Sequence, residues 1–428
     1  MSIEELFKQF LISKEITTDT RKITKNCIFF ALKGENFNGN TFAKAAIDQG
    51  ASIAIVDEKE FENISSNIFY VNNSLETLQE LARSYRNHLN IPFIGLTGSN
   101  GKTTTKELIS AVLKEKFRTH FTYGNLNNHI GVPLTILSIP ENTEIAVIEM
   151  GANHQKEIEL LASISQPDYG YITNFGKAHL EGFGGFEGVI KGKSELYNFL
   201  RENNKTAFVN FKDPIQVEKT NDIKRITFSD EENTDYKIEL IKNNQEFLSV
   251  SCLDQEIQSN LTGDYNFSNI SCAITIGLHF GIKIDSIKHG IENYYPTNNR
   301  SQIIKKDNIK IIMDAYNANP SSMEVALKNF SKFEGSKSII IGDMFELGEE
   351  SKKEHQKILN LAEELNFNKI FILGKNFNET ITSNKNVLKF DNRTDFESFL
   401  LNNPLKTDNI LIKGSHGMRL DLININQL

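Results

Sequence analysis

Short runs of consecutive apolar residues alternate with stretches of helical period along most of the chain. Within residues 1–90 the runs 27–32 and 51–56 read as buried strands, the first ending in the turn Lys33-Gly34-Glu35-Asn36. The polar stretch 75–89 predicts a helix, and Asn90-Ile91-Pro92 breaks it, because the residue before proline is pushed out of helical backbone. Next come an apolar strand at 93–97, a glycine-containing loop at 98–101, and a helix over 102–116 with apolar residues at 108, 109, 112 and 113. The runs 145–148 and 169–173 predict further buried strands. Strands alternating with helices predict an α/β fold with a mainly parallel sheet. Past the break at 295–299 the alternation restarts with strands at 309–313, 338–341, 369–373 and 409–412, which predicts a separate doubly wound, Rossmann-like domain. The expected domains are a small α/β unit at 1–90, a central unit at 91–297 and a C-terminal unit at 298–428.

Composition changes this picture little. A chain of 428 residues is long for one domain, in keeping with three. The formal net charge of −8, with no basic stretch, argues against a surface that tracks nucleic acid. Cys27, Cys252 and Cys272 lack metal-type spacing and predict buried free thiols in a reducing compartment. No basic-then-apolar leader and no run of roughly 18 apolar residues is present, so a cytoplasmic chain off the membrane is expected.

The chemistry concentrates after the strand at 93–97. Gly98, Ser99, Asn100, Gly101, Lys102, Thr103 and Thr104 form a loop that opens a helix. Such a loop aims backbone N–H groups at phosphates, its lysine adds a charge near the transferring phosphate, and a following threonine can hold magnesium. The usual pattern has glycine five residues before Gly101, where this chain has Leu96. Glu149 directly follows the strand 145–148, and a carboxylate there, beside a phosphate loop, suits a magnesium ligand.

This loop resembles that of the Mur ligases, the ATP-dependent amide-forming enzymes of peptidoglycan synthesis, and of their folylpolyglutamate synthase relatives. The resemblance implies ATP, two magnesium ions and a set of site residues. It puts Thr103, Glu149, His179 and Lys193 at the metals, with Lys193 carbamylated and Lys191 as the alternative. Leu261-Thr262-Gly263-Asp264-Tyr265-Asn266 resembles the adenine-contacting turn; Tyr265 stands where many members have histidine, and Asn266 and Asn269 match. Arg300 stands where the family supplies an arginine to the phosphates. Asp314 is expected on the ribose with Asn317 nearby, and Lys413 and Ser415 near the nucleotide and the incoming amine. Thr20, Arg21 and Asn36 lie in a segment similar to the uridine-diphosphate-binding domain of two family members, which the folate relatives lack.

Between those two, the motifs around Asn127 and Asn128, Asp314 to Pro320, and Gly342-Asp343-Met344-Phe345-Glu346-Leu347-Gly348 resemble the member that adds D-alanyl-D-alanine. The implied reaction runs through an acyl phosphate on UDP-N-acetylmuramoyl-tripeptide, with Lys102, Arg300 and magnesium stabilising charge and Asn127 and Asn128 orienting the reacting groups. No base for the amine is evident. A monomer that closes around its three ligands is expected. The ligase adding a single diamino acid, and a non-catalytic sensor of UDP-muropeptides, remain as alternatives.

Overall fold

In the computed structural model, which describes residues 1–13, 15–242, 247–297 and 300–428, the apolar runs become inner strands of three large sheets. The first is four-stranded and parallel, in the order Ile16–Thr17, Ile28–Phe30, Ile53–Val56, Ile68–Tyr70. The second has seven parallel strands, ordered Tyr236–Lys237, Lys224–Ser229, Thr206–Asn210, Tyr169–Ile172, Phe93–Thr97, Ile145–Glu149, Thr119–Phe121. The third has six, ordered Gln302–Lys306, Ile309–Asp314, Asn409–Lys413, Lys337–Gly342, Lys369–Leu373, Val387–Phe390, with only the first antiparallel. An α/β fold with mainly parallel sheets is what the alternation predicts.

The strands foreseen from the pattern are mostly interior ones, covered on both faces and so written as unbroken apolar runs. Those it passed over are largely edge strands with polar faces, such as Gln302–Lys306, or the antiparallel hairpins Glu239–Ile241, Ser249–Cys252 and Gln255–Gln258. The first expected domain boundary falls between the helix Ser74–His88 and the strand Phe93–Thr97. The second adjoins Asn298 and Asn299, which lie outside the described residues.

Two helices position the site. Ser74–His88 starts where Asn73 accepts the Leu75 and Glu76 N–H groups, and it joins the first two sheets. Its Tyr85 hydroxyl donates to the Ile139 carbonyl at 2.7 Å, and Arg86 pairs with Asp168 at 2.8 Å while lying 3.9 Å over the Phe93 ring. Lys102–Lys114 buries Leu108, Ile109, Val112 and Leu113 against Ile270, Ala273 and Ile274 of the helix Phe267–His279. Each such side chain contributes roughly 1.5–3 kcal/mol, so the phosphate loop sits on a well-anchored helix. The three cysteines are buried and free. Among the described residues no helix is long and apolar enough to cross a membrane.

Candidate active site

The strand Phe93–Thr97 lies between Ile145–Glu149 and Tyr169–Ile172, and the phosphate loop leaves from its carboxyl end. Leu96 is a fully buried strand residue in register with Glu149 and Tyr171, so a loop glycine has no place there. Gly98 has φ +142° and Gly101 φ +78°. A Cβ on Gly98 would lie 2.0 Å from Thr173 Oγ1, and one on Gly101 would lie 2.9 Å from Asn269 Oδ1. Neighbouring elements thus press on the loop where only glycine fits. Thr173 and Asn174 side chains donate to the Asn100 carbonyl at 2.6 and 2.9 Å, and Asn174 Oδ1 accepts the Asn100 N–H at 3.1 Å. Ser99 is held too, its hydroxyl donating to the Gly176 carbonyl at 2.9 Å. These bonds tie the loop to the segment 173–176 beside it.

Lys102 Nζ donates to the Gly98 carbonyl at 2.8 Å. Burial pushes this ammonium below its usual range, Glu149 opposes that shift, and Arg300 adds to it. Glu149 is 1% exposed, and its Oε1 accepts from Asn127 Nδ2 at 2.8 Å and Thr103 Oγ1 at 3.3 Å. Its Oε2 is buried with no hydrogen-bond partner among the described residues, the buried ammonium of Lys106 standing 3.5 Å away. A buried carboxylate oxygen left open beside a phosphate loop and a threonine hydroxyl fits magnesium, a hard cation that takes oxygen ligands. Among the described residues no group of three or more His, Cys, Asp or Glu could hold a metal. An ion here would therefore rely on phosphate and water for most of its ligands, as magnesium commonly does.

The C-terminal sheet closes the other side. Arg300 stacks 3.7 Å over the Tyr316 ring, and its buried Nε has no partner among the described residues. Asp314 Oδ2 accepts from Lys413 Nζ at 2.6 Å and Oδ1 accepts the Ser301 N–H at 3.2 Å. Lys413, expected near a substrate, is 2% exposed and also donates to the Asn317 carbonyl at 3.3 Å, so it holds Asp314 and Asn317 in place. Asn319 Nδ2 donates across the domains to Asn100 Oδ1 at 2.7 Å. His179 Nδ1 donates to the Glu346 carboxylate, and Lys177 Nζ to that of Glu354.

A cavity of about 780 Å³ opens between these walls. Ser99, Asn100, Gly101, Lys102, Thr103, Thr104, Asn127, Asn128, Glu149 and His179 line it from the central domain, with Asn266 and Asn269. Arg300, Asp314, Asn317 and Lys413 line it from the C-terminal side. Asn266 Oδ1 accepts from Asn269 Nδ2 at 2.8 Å, and Asn269 Oδ1 from Thr105 Oγ1 at 3.0 Å, which ties this turn to the loop helix. Lys193 stands behind the wall, 1% exposed, with Nζ donating to the Ala152 carbonyl at 3.0 Å, whereas Lys191 is exposed. Ser415 lies in a neighbouring cavity of about 260 Å³. Thr20, Arg21 and Asn36 line neither; Arg21 is exposed and paired with Asp19 at 2.8 Å. Sequence reasoning missed Thr173, Asn174, Asn319 and Lys106 as site residues. Asn319 carried a signal, since asparagine before proline is a helix-start signature.

Three family models match the chain: "Mur ligase family, catalytic domain" over residues 13–86, "Mur ligase middle domain" over 96–277, and "Mur ligase, glutamate ligase domain" over 299–416. A UDP-N-acetylmuramoyl-tripeptide–D-alanyl-D-alanine ligase of Bacillus subtilis is 34% identical, covering 95% of this chain and 92% of its own. The enzyme of that name from Escherichia coli is also 34% identical, over 84% of this chain and 81% of its own. Among solved structures, a MurF of Acinetobacter baumannii superposes with a TM-score of 0.87 at 30% identity, covering 96% of this chain and 92% of that one. MurF ligase of Thermotoga maritima in complex with ADP superposes with a TM-score of 0.84 at 27% identity, covering 96% of each chain. Together the three family models span most of the chain and the Bacillus subtilis relative is 34% identical over 95% of it, so the chain belongs to the Mur ligase family.

Proposed function

We propose that the protein is an ATP-dependent ligase that joins D-alanyl-D-alanine to UDP-N-acetylmuramoyl-tripeptide, forming ADP and phosphate. The observation that carries an acyl-activating ligase is the single cavity with a phosphate loop on one wall and Arg300 and Asp314 on the other. The choice of substrates follows the activity named for relatives that match nearly the whole chain. A peptide carboxylate oxygen attacks the γ-phosphorus and ADP leaves. The amine nitrogen of the dipeptide then attacks the acyl-phosphate carbon, phosphate leaves, and the nitrogen loses its proton to solvent.

Lys102 and Arg300 offset the charge that spreads over the phosphoryl oxygens, and the loop N–H groups orient them. Asn127, Asn128 and the enclosed cavity hold the reacting groups and limit water. Glu149 and Thr103 would hold one magnesium ion and His179 with Lys193 a second, supplying charge neutralisation of the polyphosphate when bound. Burial holds the Lys193 ammonium well below its usual range, and the nearby Lys102 charge adds to this. A neutral amine attacks carbon dioxide and releases a proton, so this setting favours a Lys193 carbamate, an anion suited to a cationic site. Thr20, Arg21 and Asn36 are assigned to the uridine diphosphate. Our reading has the reaction in the cytoplasm and the protein as a monomer; that one chain supplies both walls of the cavity is compatible with the latter.

The test is phosphate release from ATP, expected only with UDP-N-acetylmuramoyl-tripeptide and D-alanyl-D-alanine both present. Release with a single diamino acid and not with the dipeptide would sink the assignment. In the same assay Lys193→Met is expected to lose roughly a hundredfold or more in kcat, together with the carbamate signal in NMR with labelled bicarbonate.

A further inference from the structure

His179 and Glu346 come from different domains, and Glu346 lies in the loop between the strand Lys337–Gly342 and the short 3-10 turn Gly348–Glu350, to which the reaction above gives no role. Both residues occupy left-handed backbone, φ +53° and +60°, a region that residues with side chains rarely adopt. The loop that presents Glu346 is braced at each preceding position. Asp343 accepts the Asn376 and Phe377 N–H groups at 3.0 and 2.9 Å, the Met344 N–H donates to His355 Nε2 at 3.0 Å, and the Phe345 N–H donates to Ser415 Oγ at 3.0 Å. The Glu181 N–H, two residues beyond His179, donates to the Glu346 carbonyl at 3.3 Å. This braced loop sets the carboxylate on the imidazole Nδ1. Nε2 is then the ring nitrogen left for a ligand. His179 lines both cavities, whereas Glu346 lines only the smaller one.

We propose that Glu346 is a positioning residue that fixes the tautomer and ring orientation of His179 for the metal at the nucleotide phosphates, and does so only when the C-terminal domain is docked. The proposal rests on the reading of His179 as a magnesium ligand. A carboxylate on the far nitrogen of a ligating histidine holds the ring and strengthens it as a donor, and losing such a partner weakens metal binding by about 10–100-fold. Here the partner arrives from across a domain interface, so docking of the C-terminal domain would complete the metal site.

The test uses the full chain with manganese in place of magnesium, a non-hydrolysable ATP analogue and UDP-N-acetylmuramoyl-tripeptide, with bound ions read by electron paramagnetic resonance. The wild type is expected to hold two ions. Glu346→Ala should weaken one of them about tenfold or more and leave the other unchanged. Glu346→Gln, whose amide oxygen can still accept from Nδ1, should restore most of that loss. The Glu346 side chain is 51% exposed, so these variants should fold, and an unchanged thermal midpoint checks it. Two ions bound as tightly in Glu346→Ala as in the wild type would overturn the proposal alone. One ion in the wild type, or two undiminished ions in His179→Ala, would instead remove the metal reading of His179 and the proposal with it.

Discussion

His355 shows how one buried side chain serves the site from a distance. It is fully buried, its Nδ1 donating to the Ser351 carbonyl at 2.7 Å and its Nε2 accepting the Met344 N–H at 3.0 Å, which together require a neutral ring. Burial pushes its pKa below the usual 6.5, outweighing the hydrogen bond to the Ser351 carbonyl and the charges of Asp343, Glu354 and Glu379, which pull the other way. The unfolded chain therefore takes up this proton at higher pH than the folded one. The contribution is fully present above about pH 6.5 and is lost as pH falls toward the folded value, at up to about 1.4 kcal/mol per pH unit. Urea midpoints should drop between neutral pH and about pH 5.5, and His355→Asn should flatten that dependence. An equal drop in the variant would show that other groups cause it. Lys106 teaches the complementary lesson. It sits four residues after Lys102 on the loop helix, yet nothing in the sequence distinguishes it from a solvent lysine. Only the fold buries it 3.5 Å from Glu149.

At the level of elements, the helix Pro320–Ser331 connects the C-terminal domain to the phosphate loop. Asn319 starts it with a reciprocal cap, its Oδ1 accepting the Ser322 N–H at 2.9 Å and the Ser322 hydroxyl accepting the Asn319 N–H at 3.1 Å. The remaining amide group reaches Asn100. Asn319→Ala is expected to lose about 1 kcal/mol of cap stability and to raise the KM for ATP, whereas Asn100→Ala should leave the cap intact. Denaturation and kinetics on both variants check this; a lower urea midpoint in Asn100→Ala would contradict it. Most inner strands were legible because apolar runs are local signals; the Asn-Pro pair is a local signal too, but this helix start was passed over, as were the inner strands Thr206–Asn210 and Lys224–Ser229. The edge strand Gln302–Lys306 was not legible, since its pairing with Ile309–Asp314, rather than its composition, makes it a strand.

Across the whole molecule, contacts between the central and C-terminal domains join the two walls of the cavity. Ser321 Oγ accepts the Lys177 N–H at 2.9 Å, and Lys177 Nζ pairs with Glu354, whose side chain is 2% exposed. Lys177→Met would leave that carboxylate without its cation at the interface. The cost is on the order of 2 kcal/mol, below that of a fully buried pair because Lys177 is 40% exposed. Solution scattering with nucleotide bound should then show a larger radius of gyration than in the wild type, with a raised KM for ATP. An unchanged profile would mean that the remaining contacts suffice for docking.

The apolar inner strands foreseen from the pattern, the phosphate loop and the position of Glu149 at a strand end were determined by the sequence itself, because each depends on residues close along the chain, whereas the order of strands within each sheet was not. The family resemblance rested on the same local motifs. Tertiary structure alone decided that Leu96 belongs to the sheet, that Lys413 holds Asp314, and that Lys193 is buried while Lys191 is exposed. It also brought Asn319 to Asn100 and Glu346 to His179, pairs separated by 219 and 167 positions. Such contacts depend on how separate domains pack, and no local pattern encodes that. The loop at 98–104 was therefore visible from the start, whereas the cavity that gives it a reaction to perform exists only between folded domains.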